Sequence, residues 1–180
     1  MIKKIHHVAY RCKDALATAH WYEKHLDMKL VLAIAEDAVP STGEADPYMH
    51  IFMDAGMGNV LAFFELPTRA PMGRDENTPA WTQHLALEVD SMDTLLATKA
   101  RLESEGIDVV GPTDHALFQS IYFFDPNGHR LELACNTHRP GMLEALDKVK
   151  WEMLEEWAQT RKAPKHAAWM HDGSYKEMFK

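Results

Sequence analysis

Apolar and polar residues repeat along the chain in two similar runs. The first run, residues 3–67, opens with the strand-like "IHHVAYRCKD" and continues into the helical "ALATAHWYEKHL". The second, residues 81–137, opens with "QHLALEVDS" and continues into the helical "MDTLLATKARLESEG". In each run an Asp stands just before the helix, where it can cap the first turn. Each run then ends in strands joined by a Gly-containing turn, so the pattern predicts strand, helix and about three strands, twice.

The residues outside the two runs predict different structures. The linker "PTRAPMGRDENTPAW" is rich in Pro, Gly and charge, as a loop should be. After residue 138, an amphipathic helix is predicted, with these apolar residues on one face: Met142, Leu146, Val149, Met153 and Trp157. We expect it to pack on the sheet or on a partner chain, which favours a homodimer. The final stretch has no clear period and is expected to be a docked or a disordered tail, whose His166 and His171 are weak metal candidates.

Composition narrows the class of protein. A net charge of −8 argues against nucleic-acid binding and against attraction to anionic membranes. No window is apolar enough to span a bilayer, and the first residues do not form a secretory signal. We therefore expect a cytoplasmic protein that acts on a small-molecule substrate, in which Cys12 and Cys135 are reduced and buried.

Four residues with metal-binding side chains occupy matching places in the two runs. His7 and His84 lie on the first strands, with Val8 and Leu85 pointing to the opposite face, and Glu65 and Glu132 close the last strands. If the two modules pair about a pseudo-two-fold axis, these four side chains converge. A divalent metal would then remove the penalty of burying carboxylates. Imidazole and carboxylate ligands suit Fe(II), Mn, Co, Ni or Zn.

The segments "IHHVAYRCKD", "QHLALEVDS" and "YFFDPNGHRLEL" make the chain resemble the vicinal oxygen chelate superfamily, the glyoxalase, bleomycin resistance and extradiol dioxygenase proteins. The resemblance implies an α+β fold in which two paired βαβββ modules form an incomplete barrel. That domain would cover residues 1–137, followed by a helical extension over 138–180. It also implies that His7, His84 and Glu132 are the metal ligands, with His6 a neighbour of the first.

One branch of that superfamily, the extradiol dioxygenases, has a signature that this chain matches from residue 113 onward: Thr113, His115, Ile121-Tyr122, Asp125-Pro126, Gly128 and Glu132. The resemblance implies that His115 lies beside the substrate and that Tyr122 contacts a metal-bound phenolate oxygen. Fe(II) and a small aromatic diol are therefore the favoured metal and substrate. The chain departs from the signature at Asn59, where those enzymes carry an acid–base His; His50 is a weak substitute.

Two other functions stay open. In a lyase or isomerase resembling glyoxalase I, Glu65 would be a fourth metal ligand, and Arg11 would match an Arg that lies near glutathione. Four ligands would crowd a bidentate diol together with O₂, while isomerisation does not need His115 or Tyr122. The third function is a small-molecule binding or resistance protein, since some relatives sequester antibiotics.

Overall fold

The structure is a computed structural model that describes residues 1–73, 75–163 and 165–180. The first module consists of β1 (Val8–Cys12), α1 (Ala15–Leu26), β2 (Lys29–Glu36), β3 (Tyr48–Asp54) and β4 (Val60–Glu65). These strands form a four-stranded sheet in the order β1-β4-β3-β2. β1 runs parallel to β4, and β3 is antiparallel to both of its neighbours.

The second module repeats this order. It consists of β5 (Leu85–Glu88), α2 (Met92–Ser104), β6 (Val110–Asp114), β7 (Phe118–Phe124) and β8 (Arg130–Asn136). Its sheet has the order β5-β8-β7-β6, with β5 parallel to β8. The predicted α+β class and the two βαβββ modules are confirmed.

The two crossover helices begin with different caps. Asp14 caps α1, as predicted, by accepting a hydrogen bond from the Ala17 amide at 2.8 Å. The prediction that an Asp caps the second helix is wrong, because Ser91 accepts from the Thr94 amide at 3.1 Å. The carboxylate of Asp90, one residue earlier, instead accepts from the Thr94 hydroxyl. Asp14 and Ser91 each satisfy a backbone amide that a helix start leaves unpaired.

The chain after β8 forms α3 (Met142–Thr160), α4 (Trp169–Asp172) and α5 (Tyr175–Met178). The predicted amphipathic helix is therefore present, and the final stretch is a docked tail. A core forms around Met142, Ala167 and Trp169, and the partly buried Leu146 and Met153 pack against it. The apolar face of α3 thus packs partly against the tail of the same chain.

Two compact units divide the chain. Unit 1 comprises residues 1–83 and 124–130, and unit 2 comprises residues 84–123 and 131–180. The helical extension therefore belongs to the same unit as the second module. Among the residues that the structure describes, no helix is long and apolar enough to cross a membrane.

The turn of "DPNG" between β7 and β8 lies in unit 1 and is fixed there by buried polar contacts. Asp125 accepts a hydrogen bond from the hydroxyl of Tyr22 on α1 at 3.0 Å. Asn127 accepts from the backbone amide of Lys13 at 2.9 Å and donates to the hydroxyl of Thr18. Burial raises the pKa of Tyr22 well above its usual range, so the phenol stays protonated and donates.

Candidate metal and catalytic site

His84 and Glu132 are brought together by the parallel pairing of β5 with β8. The register pairs Leu85 with Leu131 and Ala86 with Glu132, and His84 comes immediately before β5. Because alternate strand residues share a face, His84 lies on the same face as Ala86 and Glu132. Nε2 of His84 lies 2.9 Å from Oε2 of Glu132.

Glu132 is a buried carboxylate with two partners in unit 2. Its side chain is 3% exposed, whereas that of His84 is 31% exposed. The hydroxyl of Ser120, which is fully buried on β7, donates to Oε1 of Glu132. A buried carboxylate without such partners would be strongly disfavoured. Oε1 and Oε2 are thus each fixed by a different neighbour, so the carboxylate has one orientation.

Tyr122 and His115 extend this group along β7. Tyr122 follows Ser120 by two residues, so both lie on the face that carries Glu132. The Tyr122 ring lies edge-on to the His84 ring, with 6.0 Å between centroids. Its hydroxyl lies 2.8 Å from Nε2 of His115. Unit 2 therefore places four of the predicted site residues in one connected series: Glu132, His84, Tyr122 and His115.

His7 lies in unit 1, in a group of histidine and phenylalanine rings. Its Nδ1 lies 2.8 Å from Nδ1 of His6, and its ring centroid is 6.1 Å from that of His50. His50 stacks on Phe64 with 3.6 Å between centroids. Burial, and secondarily the charge of His7, lowers the pKa of His50, which favours the neutral imidazole. Within unit 1, His50 thus lies beside the rings of His7 and Phe64, in contact distance of both.

Glu65 occupies a different place from the one predicted. The register pairs Val8 with Leu61 in the first module, as it pairs Leu85 with Leu131 in the second. The residue equivalent to Glu132 is therefore Ala62. The prediction that Glu65 and Glu132 are equivalent is wrong, because Glu65 lies three positions after Ala62 on β4. A shift by an odd number of residues moves a side chain to the opposite face of the sheet.

The odd shift turns Glu65 towards α1. Its Oε2 accepts a hydrogen bond from the backbone amide of Ala15, at the first residue of that helix, at 2.7 Å. A carboxylate at a helix N-terminus satisfies an unpaired amide and is stabilised by the helix dipole. In the structure, the Glu65 side chain therefore helps to cap the N-terminus of α1.

Asn59 also has a structural place. Its side-chain amide donates to the carbonyl of Gly56 at 3.0 Å, and its backbone amide donates to the same carbonyl at 2.8 Å. Asn59 therefore closes the turn between β3 and β4. Sequence reasoning missed Ser120, although a small polar residue two positions before Tyr122 in "FQSIYFF" is a usable signal for the same strand face.

The donors in unit 2 fit a divalent metal in their chemistry. A neutral imidazole and a carboxylate suit borderline metals such as Fe(II), Mn(II), Ni(II) and Zn(II). The hydrogen bond from Ser120 is the kind of outer contact that orients a ligating carboxylate. Across residues 1–73, 75–163 and 165–180, no group of three or more His, Cys, Asp or Glu side chains is gathered closely enough to hold a metal.

Comparison with known proteins gives a consistent result. Residues 4–133 match the family model described as the Glyoxalase/Bleomycin resistance protein/Dioxygenase superfamily. A Bacillus subtilis (strain 168) protein named "Putative ring-cleaving dioxygenase MhqA" is 29% identical over 144 residues, which cover 78% of this chain and 42% of that protein. The chain thus spans less than half the length of this curated relative.

Solved structures share the fold. A glyoxylase/bleomycin resistance protein/dioxygenase domain from Frankia sp. EAN1pec superposes with a TM-score of 0.59 at 20% identity, covering 76% of this chain and 100% of that one. Glyoxalase I of Leishmania major superposes with a TM-score of 0.56 at 18% identity, covering 87% of this chain and 99% of that one. The fosfomycin resistance protein FosX of Listeria monocytogenes, in a complex with Mn(II), superposes with a TM-score of 0.54 at 18% identity. The match covers 76% of this chain and 95% of that one.

Proposed function

Because the chain belongs to the glyoxalase/bleomycin resistance protein/dioxygenase superfamily, we propose that it is a metal-dependent ring-cleaving dioxygenase that acts on a small aromatic diol. The observation that carries this proposal is the 2.8 Å contact between His115 and Tyr122, in series with His84 and Glu132. The relative named as a ring-cleaving dioxygenase supports the same reaction class.

His7, His84 and Glu132 are the ligands that we propose for the metal, and Fe(II) is the metal that we favour. When bound by two histidines and one carboxylate, Fe(II) supplies open positions for a diol and O₂. We leave Glu65 out of this set, because its carboxylate binds the start of α1. The Mn(II) complex of FosX supports a divalent metal in this fold, and the other candidates are Mn, Co, Ni and Zn.

The histidine–tyrosine pair supplies proton chemistry in this proposal. Cleavage of a diol consumes one O₂: both oxygen atoms enter the product as a ring carbon–carbon bond breaks. The diol must release phenolic protons as it becomes an electron-rich donor. Nε2 of His115 and the Tyr122 hydroxyl, 2.8 Å apart, can accept such a proton or donate one back. Ser120 contributes indirectly by holding the carboxylate of Glu132 in one orientation.

Metal binding tests the ligand set. We expect one divalent metal per chain, and His84→Ala should lower the affinity at least about tenfold, since removing even an outer-shell partner of a metal ligand has an effect of that size. His20, an exposed residue of α1, provides the control His20→Ala, which should bind like wild type. Equal affinity in wild type and His84→Ala, measured by calorimetry, would refute the metal proposal.

Substrate assays separate the reaction classes. With Fe(II), a panel of ortho- and para-diols should be consumed together with O₂, and Tyr122→Phe should slow turnover without abolishing metal binding. Isomerisation of a hemithioacetal with Ni or Zn, in the absence of O₂ uptake, would instead assign a glyoxalase I-like activity. Tight binding of a substrate-sized ligand without turnover would assign a binding or resistance protein.

We also propose that the protein is a homodimer. The outer face of α3 supports this, because Leu143, Trp151 and Leu154 are exposed large apolar side chains along it. Contiguous exposed apolar residues often mark interaction surfaces. Light scattering should give the mass of two chains, and Trp151→Glu should shift it towards one. A monomeric wild-type protein at micromolar concentration would contradict this proposal.

A further inference from the structure

The segment after β8 lies beyond the residues matched by the family model, yet it packs against the loop that carries His115. We infer that residues 139–163 and 165–179, which we name the C-terminal strap, hold His115 in place against Tyr122. This inference rests on the proposed function for its catalytic meaning. The positioning itself is a property of unit 2 and can be measured without turnover.

The strap covers the loop between β6 and β7 with apolar side chains. Ala116, the residue after His115, is buried in one cluster with Met142, Ala167 and Trp169 of the strap. Leu117 packs against the same cluster. The loop residues next to His115 therefore have their apolar packing supplied by the strap, so the loop position depends on it.

The loop backbone needs this support, because Ala116 has a φ of 65°. That left-handed conformation is uncommon for a residue with a Cβ atom. Asp114 stabilises it locally, since its Oδ1 accepts from the Ala116 amide at 2.7 Å. The hydroxyl of Tyr175 on α5 in turn donates to Oδ2 of Asp114 at 3.4 Å. The strap thus contacts the residue before His115 as well as the residue after it.

The end of the strap is itself tied down. Nη1 of Arg139 donates to the carbonyl of Lys176 at 2.6 Å and to that of Phe179 at 3.1 Å. The ring of Phe179 packs on Trp169 with 4.9 Å between centroids. Trp169 therefore packs on a ring whose backbone Arg139 holds, and it also belongs to the cluster that contains Ala116.

Trp169 and Tyr175 are, in consequence, positioning residues that act through the loop. Displacing the strap should let the backbone at His115 relax, which would weaken the contact between His115 Nε2 and the Tyr122 hydroxyl. The imidazole nitrogens report this directly, because a fixed hydrogen bond selects one tautomer. A mobile ring would exchange between tautomers and average the two nitrogen signals.

Nitrogen NMR of the full-length, metal-free protein labelled in its histidines tests the inference, with His115→Gln used to assign the His115 signals. Wild type should show one tautomer at His115. Trp169→Ala and Tyr175→Phe should move its two nitrogen signals towards their average. The matched control is Trp81→Ala, which removes the same type of side chain from a position outside the strap that is 69% exposed; it should leave the His115 signals unchanged.

Folded Trp169→Ala with wild-type His115 signals would overturn the inference. If near-ultraviolet circular dichroism shows that Trp169→Ala is unfolded, Tyr175→Phe decides, because it removes only a hydroxyl group; unchanged His115 signals in it would then overturn the inference. In the activity arm, Trp169→Ala should lower kcat/KM for diol cleavage on the order of tenfold or more while metal affinity stays constant. Absence of diol cleavage in wild type would refute the proposed function, but the NMR outcome would still decide the inference.

Discussion

Replacing Asp125 with alanine removes the acceptor of four hydrogen bonds at the turn of "DPNG". The Asp125 residue is only 5% exposed. Its carboxylate accepts from the Tyr22 hydroxyl at 3.0 Å and from the backbone amide of His129 at 2.8 Å. It also accepts from the backbone amide and the side-chain amide of Asn127, at 2.9 and 3.0 Å. Asp125→Ala therefore leaves several buried donors without an acceptor.

The size of the effect follows from those contacts. A hydrogen bond to a charged group contributes about 1.5–3 kcal/mol, and a buried donor left unpaired is penalised by about 1–3 kcal/mol. Because the donors share one acceptor and some can regain water, the losses are not additive. We expect Asp125→Ala to lower the free energy of unfolding by about 3–5 kcal/mol. Tyr22→Phe keeps the ring packed on Phe63 and removes one of the four hydrogen bonds, so it should lose only about 1.5–3 kcal/mol.

Urea unfolding followed by circular dichroism measures both variants. Asp37, an exposed residue just after β2, provides the control Asp37→Ala, which should stay within about 0.5 kcal/mol of wild type. In the double variant of Tyr22 and Asp125, the total loss should be smaller than the sum of the two single losses. A loss below about 1 kcal/mol for Asp125→Ala would refute this account of the turn.

Three further variants test other parts of the structure. Glu65→Ala should lower stability by about 1 kcal/mol, because the Ala15 amide loses its acceptor, while metal affinity stays unchanged; a large fall in affinity would restore Glu65 as a ligand. Gly111→Ala should lower the unfolding free energy by about 3 kcal/mol or more, since its new Cβ would clash with the Ser120 carbonyl oxygen and its φ of +111° strains any residue other than glycine. Burial raises the pKa of Cys12 from 9.0 to about 11, so the contribution of this thiol to stability should be constant below pH 9 and should be lost as the pH rises towards 11. Cys12→Ala should flatten that fall, as pH-dependent urea midpoints would show.

The fold and the connected series in unit 2 could be predicted because their signals are local. Alternation along a strand sets which residues share a face, so the residues on the His84 side of β5 could be read from the sequence. The turn signal of "DPNG" gave the antiparallel order of β7 and β8, which are neighbours in the sheet. His115 was found by its spacing from Tyr122 within a family signature, and the structure places the two in contact.

The remaining features depend on register or on distant contacts. Glu65 was misplaced because it was matched to Glu132 by its position near the end of a strand. Counting from His7 and His84 through the paired strands would have given Ala62. Strand ends are poor reference points, since β8 continues past Glu132 to Asn136.

No local pattern predicts which side chains meet across long stretches of sequence. The hydrogen bond between Tyr22 and Asp125 joins residues 103 positions apart. The packing of Trp169 near Ala116 joins two segments with no shared periodicity. Such contacts are set by tertiary packing, which a window of the sequence does not contain.

Oxygen consumption by the Fe(II)-loaded protein is the most direct test of the proposed function. With an aromatic diol as substrate, we predict that an oxygen electrode records one O₂ consumed for each diol cleaved. Glu132→Ala should abolish this uptake, and the control His20→Ala should retain it. No diol-dependent oxygen uptake by the Fe(II)-loaded wild-type protein, across ortho- and para-diols, would contradict the assignment as a ring-cleaving dioxygenase.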